Sequence, residues 1–344
     1  MLTRVTLDGN ISMDNQLQDI MPQDENLSNA LMAGYNAARQ MNFKDTSKKV
    51  LNFTHNDLDG AVAGIVVKNV FPNVEVYPVN YKGSPMYDTA VARITQTGAN
   101  YDFILFTDWC PGVTDTEMYD ALHQAGVPFL VIDHHQKAEK HPDDPQGTFV
   151  IDTSKCGAYN CYEFFGDVKD LSYLDTLCDI TNDHDMWIRK KVPLSDQLNS
   201  LLYLIGTEEF DRKYRHGMDG YKLFPDDAEL MRNHDAEVDA YLNSLRLTPL
   251  PGNGVYTTVG KFNSEIVLRL EDKYDWIVLR SGQQDVPGMI KLSFRTRRKD
   301  LNLGKILDSL GRGGGGHPGA AGQVLPEADV VPFIMEVAKI ITST

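Results

Sequence analysis

Val127-Pro128-Phe129-Leu130-Val131-Ile132 is an unbroken apolar run that stops on Asp133-His134-His135. The run reads as a buried strand, and a carboxylate with two histidines at its C-terminal tip stands where an α/β sheet places its chemistry. Earlier segments repeat the pattern. Val50-Leu51-Asn52-Phe53 reads as a strand leading into His55-Asn56-Asp57-Leu58-Asp59-Gly60, and Gly60 to Val70 as a helix. Val74 to Val79 and Phe103 to Phe106 read as strands, the second ending at Thr107-Asp108, with a helix over Met86 to Thr97 between them. Thr114 to Ala125 reads as a helix opened by a capping box of Thr114 and Glu117. Strands alternating with helices predict an α/β fold with a mainly parallel, doubly wound sheet, its candidate ligand loops along one carboxyl edge.

Further on, Gly157 to Phe165 and Leu171 to Asp183 read as helices, and Asp226 to Leu245 as a long helix closed by Pro249-Leu250-Pro251-Gly252. Strands near Val255–Val259, Trp276–Leu279 and Met289–Phe294, with helices over Leu301 to Leu310 and Val330 to Ile341, predict a smaller α/β C-terminal domain. With 344 residues the chain can bury two cores. Residues 1–46 carry an apolar stripe at Leu27, Leu31, Tyr35 and Ala38, the spacing of a helical extension.

The polar residues point to metal chemistry. His55, Asp57 and Asp59 alternate along a turn, so their side chains project together. Imidazole with carboxylate suits Mn²⁺ or a similar divalent ion better than Ca²⁺. An Asx-type turn with a helix cap is the plainer account of this hexapeptide. An EF-hand is excluded, because the loop's twelfth position is Val66 rather than Glu. His134, Asp108 and a carboxylate from the Asp179–Asp185 stretch complete a donor set large enough for two ions sharing one carboxylate; Asp179, Asp183 and Asp185 all qualify. The four cysteines, Cys110, Cys156, Cys161 and Cys178, show no CxxC spacing and fit a reducing cytoplasm.

Arg312-Gly313-Gly314-Gly315-Gly316-His317-Pro318-Gly319-Ala320-Ala321-Gly322 reads as an anion cradle, with backbone amides bared by glycine and a donor from His317. It is not a P-loop, since no Lys-Ser/Thr follows the glycines. Arg295 continues the alternation of its strand and is the best-placed phosphate clamp, while Arg297, Arg298 and Lys299 also fit a solvated basic patch. The net charge of −15 argues against a long basic channel for nucleic acid. No apolar run approaches the ~18 residues of a membrane span, and the N-terminus lacks the apolar segment of a signal peptide.

These strings resemble the DHH phosphoesterase superfamily, in the branch with a C-terminal DHH-associated domain that includes RecJ-like exonucleases and NrnA-like oligonucleotide phosphodiesterases. The carrying motifs are His55-Asn56-Asp57-Leu58-Asp59-Gly60, Asp108, Asp133-His134-His135, and Gly314-Gly315-Gly316-His317 with Ala320-Ala321-Gly322. The resemblance implies one Mn²⁺ (or Mg²⁺) on His55, Asp57 and Asp108, and a second on Asp59, Asp108, His134 and a fourth-motif Asp. Asp183 is chosen because Asn182-Asp183-His184-Asp185-Met186-Trp187 is similar to a family string. Asp108, Asp133 and His135 are the implied catalytic residues, with His135 orienting substrate or water. Arg295, Gly314, Gly315, Gly316 and His317 are the implied substrate contacts. The expected organisation is an extension over 1–46, a catalytic domain over 47–225, a connector helix over 226–252 acting as a hinge, and a substrate-binding domain over 253–344.

The implied activity is Mn²⁺-dependent hydrolysis of short single-stranded oligonucleotides to nucleoside 5′-monophosphates in the cytoplasm. The alternatives are hydrolysis of a cyclic dinucleotide or 3′-phosphoadenosine phosphate, a RecJ-like single-stranded DNA exonuclease, and a catalytically silent nucleotide-binding protein. A homodimer is compatible with each.

Overall fold

The computed structural model describes residues 42–135, 147–186, 188, 192–282, 288–316 and 318–343. The stripe over Leu27 to Ala38, together with Trp187 and His317, lies outside the described residues. The chain divides into two compact units, Met1–Asp227 and Ala228–Thr344.

The first unit is built on β1 (Lys49–His55), α1 (Leu58–Val70), β2 (Asn73–Val79), α2 (Pro85–Thr97), β3 (Phe103–Thr107), α3 (Thr116–Ala125), β4 (Phe129–Asp133) and β5 (Gly147–Ile151). The helices α4 (Gly157–Phe165), α5 (Asp175–Asp185), α6 (Ser195–Ile205) and α7 (Thr207–Tyr214) follow. The strands form one sheet in the order β2-β1-β3-β4-β5, every pair parallel. All residues of β3 and β4 are buried, which explains why their sequences are apolar without alternation. On one face, Phe53, Phe106 and Phe129 pack with Tyr87, Ile94, Met118 and Leu122 of α2 and α3. Two of the buried polar residues in the sheet are paired: Asn52 of β1 and Thr107 of β3 bond each other at 3.3–3.4 Å.

The order 2-1-3-4-5 reverses direction between β1 and β3. At such a switch point the loops leaving the two strands diverge and open a crevice at their carboxyl ends. His55 ends β1 and Asp108 follows β3, so both stand at that crevice, and His134 follows β4 beside it.

The second unit carries β6 (Thr248–Leu250), β7 (Gly254–Thr258), α9 (Asn263–Leu270), β8 (Trp276–Gly282), β9 (Met289–Thr296), α10 (Leu303–Ser309), β10 (Gly315–Gly316), β11 (Ala320–Pro326) and α11 (Val330–Ser343), and α8 (Pro225–Ser244) leads into it. Its mixed sheet runs β10-β11-β9-β8-β7-β6. Alternation along β8 sorts its side chains: Trp276 and Val278 join a core with Phe294, Leu307 and Phe333, whereas Ile277 and Leu279 join one with Val238, Ile266 and Leu270.

Four strands are not expected from the sequence pattern: β5, β6, β10 and β11. The expected capping box at Thr114 does not form. α3 starts at Thr116, and the carboxylate of its N-cap, Asp115, is drawn away by Lys82 (2.9 Å) and the Tyr87 hydroxyl. The cysteines are free, as expected, and three of them are buried. No described helix is long and apolar enough to cross a membrane.

Candidate active site

Asp57 is the N-cap of α1 and also a donor aimed at the crevice. Its Oδ1 accepts from the Gly60 amide at 3.0 Å, while Oδ2 lies 2.6 Å from His55 Nδ1. The cap and ligand readings of this residue are therefore compatible, one oxygen for each. Burial would raise the Asp57 pKa, but the hydrogen bond and charge of His55 outweigh it and bring it down to about 2.

Asp108 lies between two groups of donors. One oxygen stands 3.9 Å from His55 Nδ1, and the other 3.3 Å from His134 Nε2. Its backbone is left-handed, with φ 53°, held there by the bond from its amide to the Ile132 carbonyl of β4. Such a conformation is costly without a glycine and is characteristic of sites where side-chain direction matters. The room it occupies exists because residue 157 is glycine: a Cβ there would sit 2.7 Å from the Asp108 Cβ and 2.9 Å from its Cα.

His134 Nε2 faces three carboxylates at once, lying 3.3 Å from Asp108, 3.3 Å from Asp185 and 3.5 Å from Asp59. Asp59 is anchored by the start of α4, its two oxygens accepting from the Gly157 and Ala158 amides at 2.6 and 2.7 Å. A helix N-terminus favours that negative charge. Beside this group, His135 Nδ1 bonds Asp133 Oδ1 at 2.8 Å. That hydrogen bond raises the imidazole to about 9 despite burial, and it lowers buried Asp133 in return.

The arrangement fits divalent cations. Burial first, and then the charges of Asp59, Asp57, Asp185 and Asp133, push Asp108 well above the usual carboxylate range, and burial followed by Asp59 raises Asp185 to about 7. Like charges in this density need a positive partner. Asp108 Oδ2, Asp133 Oδ2 and His134 Nε2 are buried and make no hydrogen bond, at a cost that a bound ion would remove. Neighbouring donors around an octahedral ion with bonds of about 2.1 Å are about 3 Å apart, close to the spacings around His134. Two of the clusters able to hold an ion are His55, Asp57 and Asp108, and Asp59, His134 and Asp185.

Of the sequence-derived candidates, His55, Asp57, Asp59, Asp108, Asp133, His134 and His135 come together at one sheet edge. On α5 it is Asp185 that reaches His134, not Asp183. Asp183 is buried, and neither of its oxygens makes a hydrogen bond. Two residues apart on a helix is about 200° of rotation, so the pair cannot share a direction. Asp179 instead faces the Tyr221 hydroxyl at 3.4 Å. Sequence reasoning passed over the amides of Gly157 and Ala158, which carry no side-chain signature.

In the second unit the glycine string is a hairpin rather than a loop. Gly315 and Gly316 form β10, paired with Gly322 and Ala321, and Ala320 is in register with Arg295 of β9. Gly316 has φ 147°, and a Cβ on it would lie 2.4 Å from the Ala320 carbonyl oxygen; one on Gly314 would lie 2.1 Å from Gln323 Oε1. Among the described residues β10 is the last strand of its sheet, with no strand partner on its outer side. Arg295 is half-buried and donates from Nη1 to the Phe294 carbonyl at 2.9 Å. Two of the neighbouring cations are committed to ion pairs, Arg297 with Glu271 and Asp272, and Arg298 with Asp300.

Residues 260–343 match the DHHA1 domain family. Over 310 residues the chain is 25% identical to oligoribonuclease NrnB of Bacillus subtilis, covering 84% of this chain and 76% of that protein. Among solved structures it is similar to PggH, a pGpG-specific phosphodiesterase from Vibrio cholerae (TM-score 0.55, 15% identity, 86% of this chain and 99% of that one). It is also similar to RecJ from Thermus thermophilus in complex with Mn²⁺ (TM-score 0.55, 14% identity, 92% and 55%).

Proposed function

This chain belongs to the DHH phosphoesterase superfamily, and we propose on that premise that it is a metal-dependent phosphodiesterase acting on short single-stranded oligonucleotides and releasing nucleoside 5′-monophosphates. The observation that carries the reading is Asp108, a buried carboxylate offering one oxygen toward His55 and the other toward His134. His55, Asp57 and Asp108 would hold one Mn²⁺, and Asp59, Asp108, His134 and Asp185 a second. Bound as a pair, such ions supply a hydroxide nucleophile at neutral pH and offset charge on phosphorus. The chain's own contribution is placement. Asp57 fixes the His55 ring, α4 fixes Asp59, and Asp133 fixes His135 through Nδ1, leaving the other ring nitrogen to meet a phosphate oxygen.

We assign the chemistry to the first unit and the hold on the substrate phosphate to the second, through Arg295 and the Gly314–Gly316 segment with His317. Short substrates are favoured because a chain of net charge −15 is poorly suited to holding many phosphates. The relatives named for oligoribonuclease and pGpG phosphodiesterase activities support the same class.

The test is Mn²⁺-dependent product release from one panel: RNA and DNA from dinucleotides to 24-mers, cyclic di-AMP, and 3′-phosphoadenosine phosphate. The reading expects the highest rates on substrates of two to five nucleotides. Rates that climb with DNA length would replace it by a RecJ-like exonuclease, and turnover of cyclic dinucleotide alone by signal degradation. Metal binding with no turnover would leave a nucleotide-binding protein.

A further inference from the structure

Tyr81 is 70% exposed, one of the barest large side chains among the described residues, yet it stands beside the candidate metal centre. Its ring meets that of His55 edge to face, with centroids 5.8 Å apart and an interplanar angle of 61°. The loop that carries it is held from both sides. Asn80 Nδ2 donates to Asn56 Oδ1 at 2.9 Å, tying the loop to the His55 turn. The Tyr81 amide donates to Asn80 Oδ1 at 2.7 Å, and its carbonyl accepts from the Ser84 amide at 3.0 Å. Lys82 donates to Asp115 at 2.9 Å, at the start of α3. The backbone is thus fastened to two elements while the aromatic ring is left in solvent.

We infer that Tyr81 is the platform on which a nucleobase flanking the scissile phosphate stacks, a specificity-determining residue for the proposed reaction. The inference rests on that reading of the site and deepens it by assigning a base contact. Every base has a π-face, so stacking tolerates any sequence, and it suits a protein that cannot rely on excess positive charge. Lys82, the adjacent cation, is already spent on Asp115. A tyrosine has only two side-chain torsions to immobilise, and here its backbone is fastened before substrate arrives.

The experiment compares wild type, Tyr81→Ala and Tyr81→Phe on a 5′-phosphorylated adenine dinucleotide and on two analogues, each lacking one base. Mn²⁺ titration calorimetry accompanies each protein. The expected result is a rise in KM of roughly tenfold for Tyr81→Ala on the full dinucleotide, with Tyr81→Phe close to wild type. The preference of Tyr81→Ala for the full dinucleotide over one of the analogues should collapse by the same factor. Unchanged preference in Tyr81→Ala would overturn the inference while leaving the proposed activity standing. So would a matching loss of Mn²⁺ affinity, which would make Tyr81 a support for His55 only. Failure of the wild type to cleave any dinucleotide would remove the functional reading, and the stacking role with it.

Discussion

Asp108 and Asp185 are carboxyl side chains held where ionisation is costly. Among the described residues Asp108 is 1% exposed and within reach of four other carboxylates. Asp108→Asn should therefore stabilise the ion-free protein or leave it unchanged, because it removes one of several crowded like charges, while Mn²⁺ affinity falls at least tenfold. Titration calorimetry and thermal melts in chelator check both halves; unaltered Mn²⁺ binding would take Asp108 out of the metal site. The choice on α5 is tested by a pair. Asp185→Asn should cut turnover about a hundredfold or more, as expected for a group facing His134 Nε2. Asp183→Asn, which exchanges a buried carboxylate without hydrogen bonds for a neutral amide, should leave stability, metal binding and turnover close to wild type. If Asp183→Asn abolished metal binding at full stability and Asp185→Asn did not, the assignment would be reversed.

At the level of elements, the start of α4 matters as much as the strand tips. The Gly157 amide holds Asp59, and the missing Gly157 side chain leaves room for the left-handed Asp108. Both effects act through backbone, so the smallest substitution is informative. Gly157→Ala places a methyl 2.7 Å from the Asp108 Cβ, closer than any relaxed contact, and either Asp108 or α4 must shift. Activity should fall by roughly a hundredfold, since displacement of about 1 Å suffices for that. Circular dichroism should be unchanged, because the helix itself tolerates alanine. Full activity in Gly157→Ala would show that Asp108 does not need its observed position. The switch point between β1 and β3 supplies the rest of the element-scale logic, since His55 and Asp108 leave adjacent strands at the one place where the loops part.

For the whole molecule, the two units have separate cores, and every donor of the two candidate ion clusters belongs to the first. Saturating Mn²⁺ stabilises only the state that binds it, by about 2.7 kcal/mol at a hundredfold excess over Kd. In a unit of this size that is a rise in Tm of about 5–10 °C. Differential scanning calorimetry should show the transition of the first unit move by that amount with Mn²⁺, and EDTA should reverse it. Absence of a shift, or a shift confined to the second unit, would sink the placement of the metal.

The clustering of these donors was legible in the sequence because it is local. His55, Asp57, Asp59, Asp108, His134 and His135 each lie within a few residues of a strand end, and parallel strands deliver all their carboxyl ends to one edge. The α/β architecture followed from the same alternation of apolar runs. What only the tertiary structure decided involves partners distant in the chain or directions that spacing does not reveal. The rotation of α5 turned Asp185 rather than Asp183 toward His134, although the two are neighbours in sequence. Asp59 found its amides on a helix 98 residues away. The glycine string became a sheet edge because β11, which the apolar pattern does not announce, lies beside it. Tyr81 is an ordinary loop tyrosine until hydrogen bonds to Asn56 and Asp115 fasten its loop next to His55. Periodicity and spacing report which face a residue takes on its own element. Which element that face then meets is set by packing, and packing is a property of the folded chain.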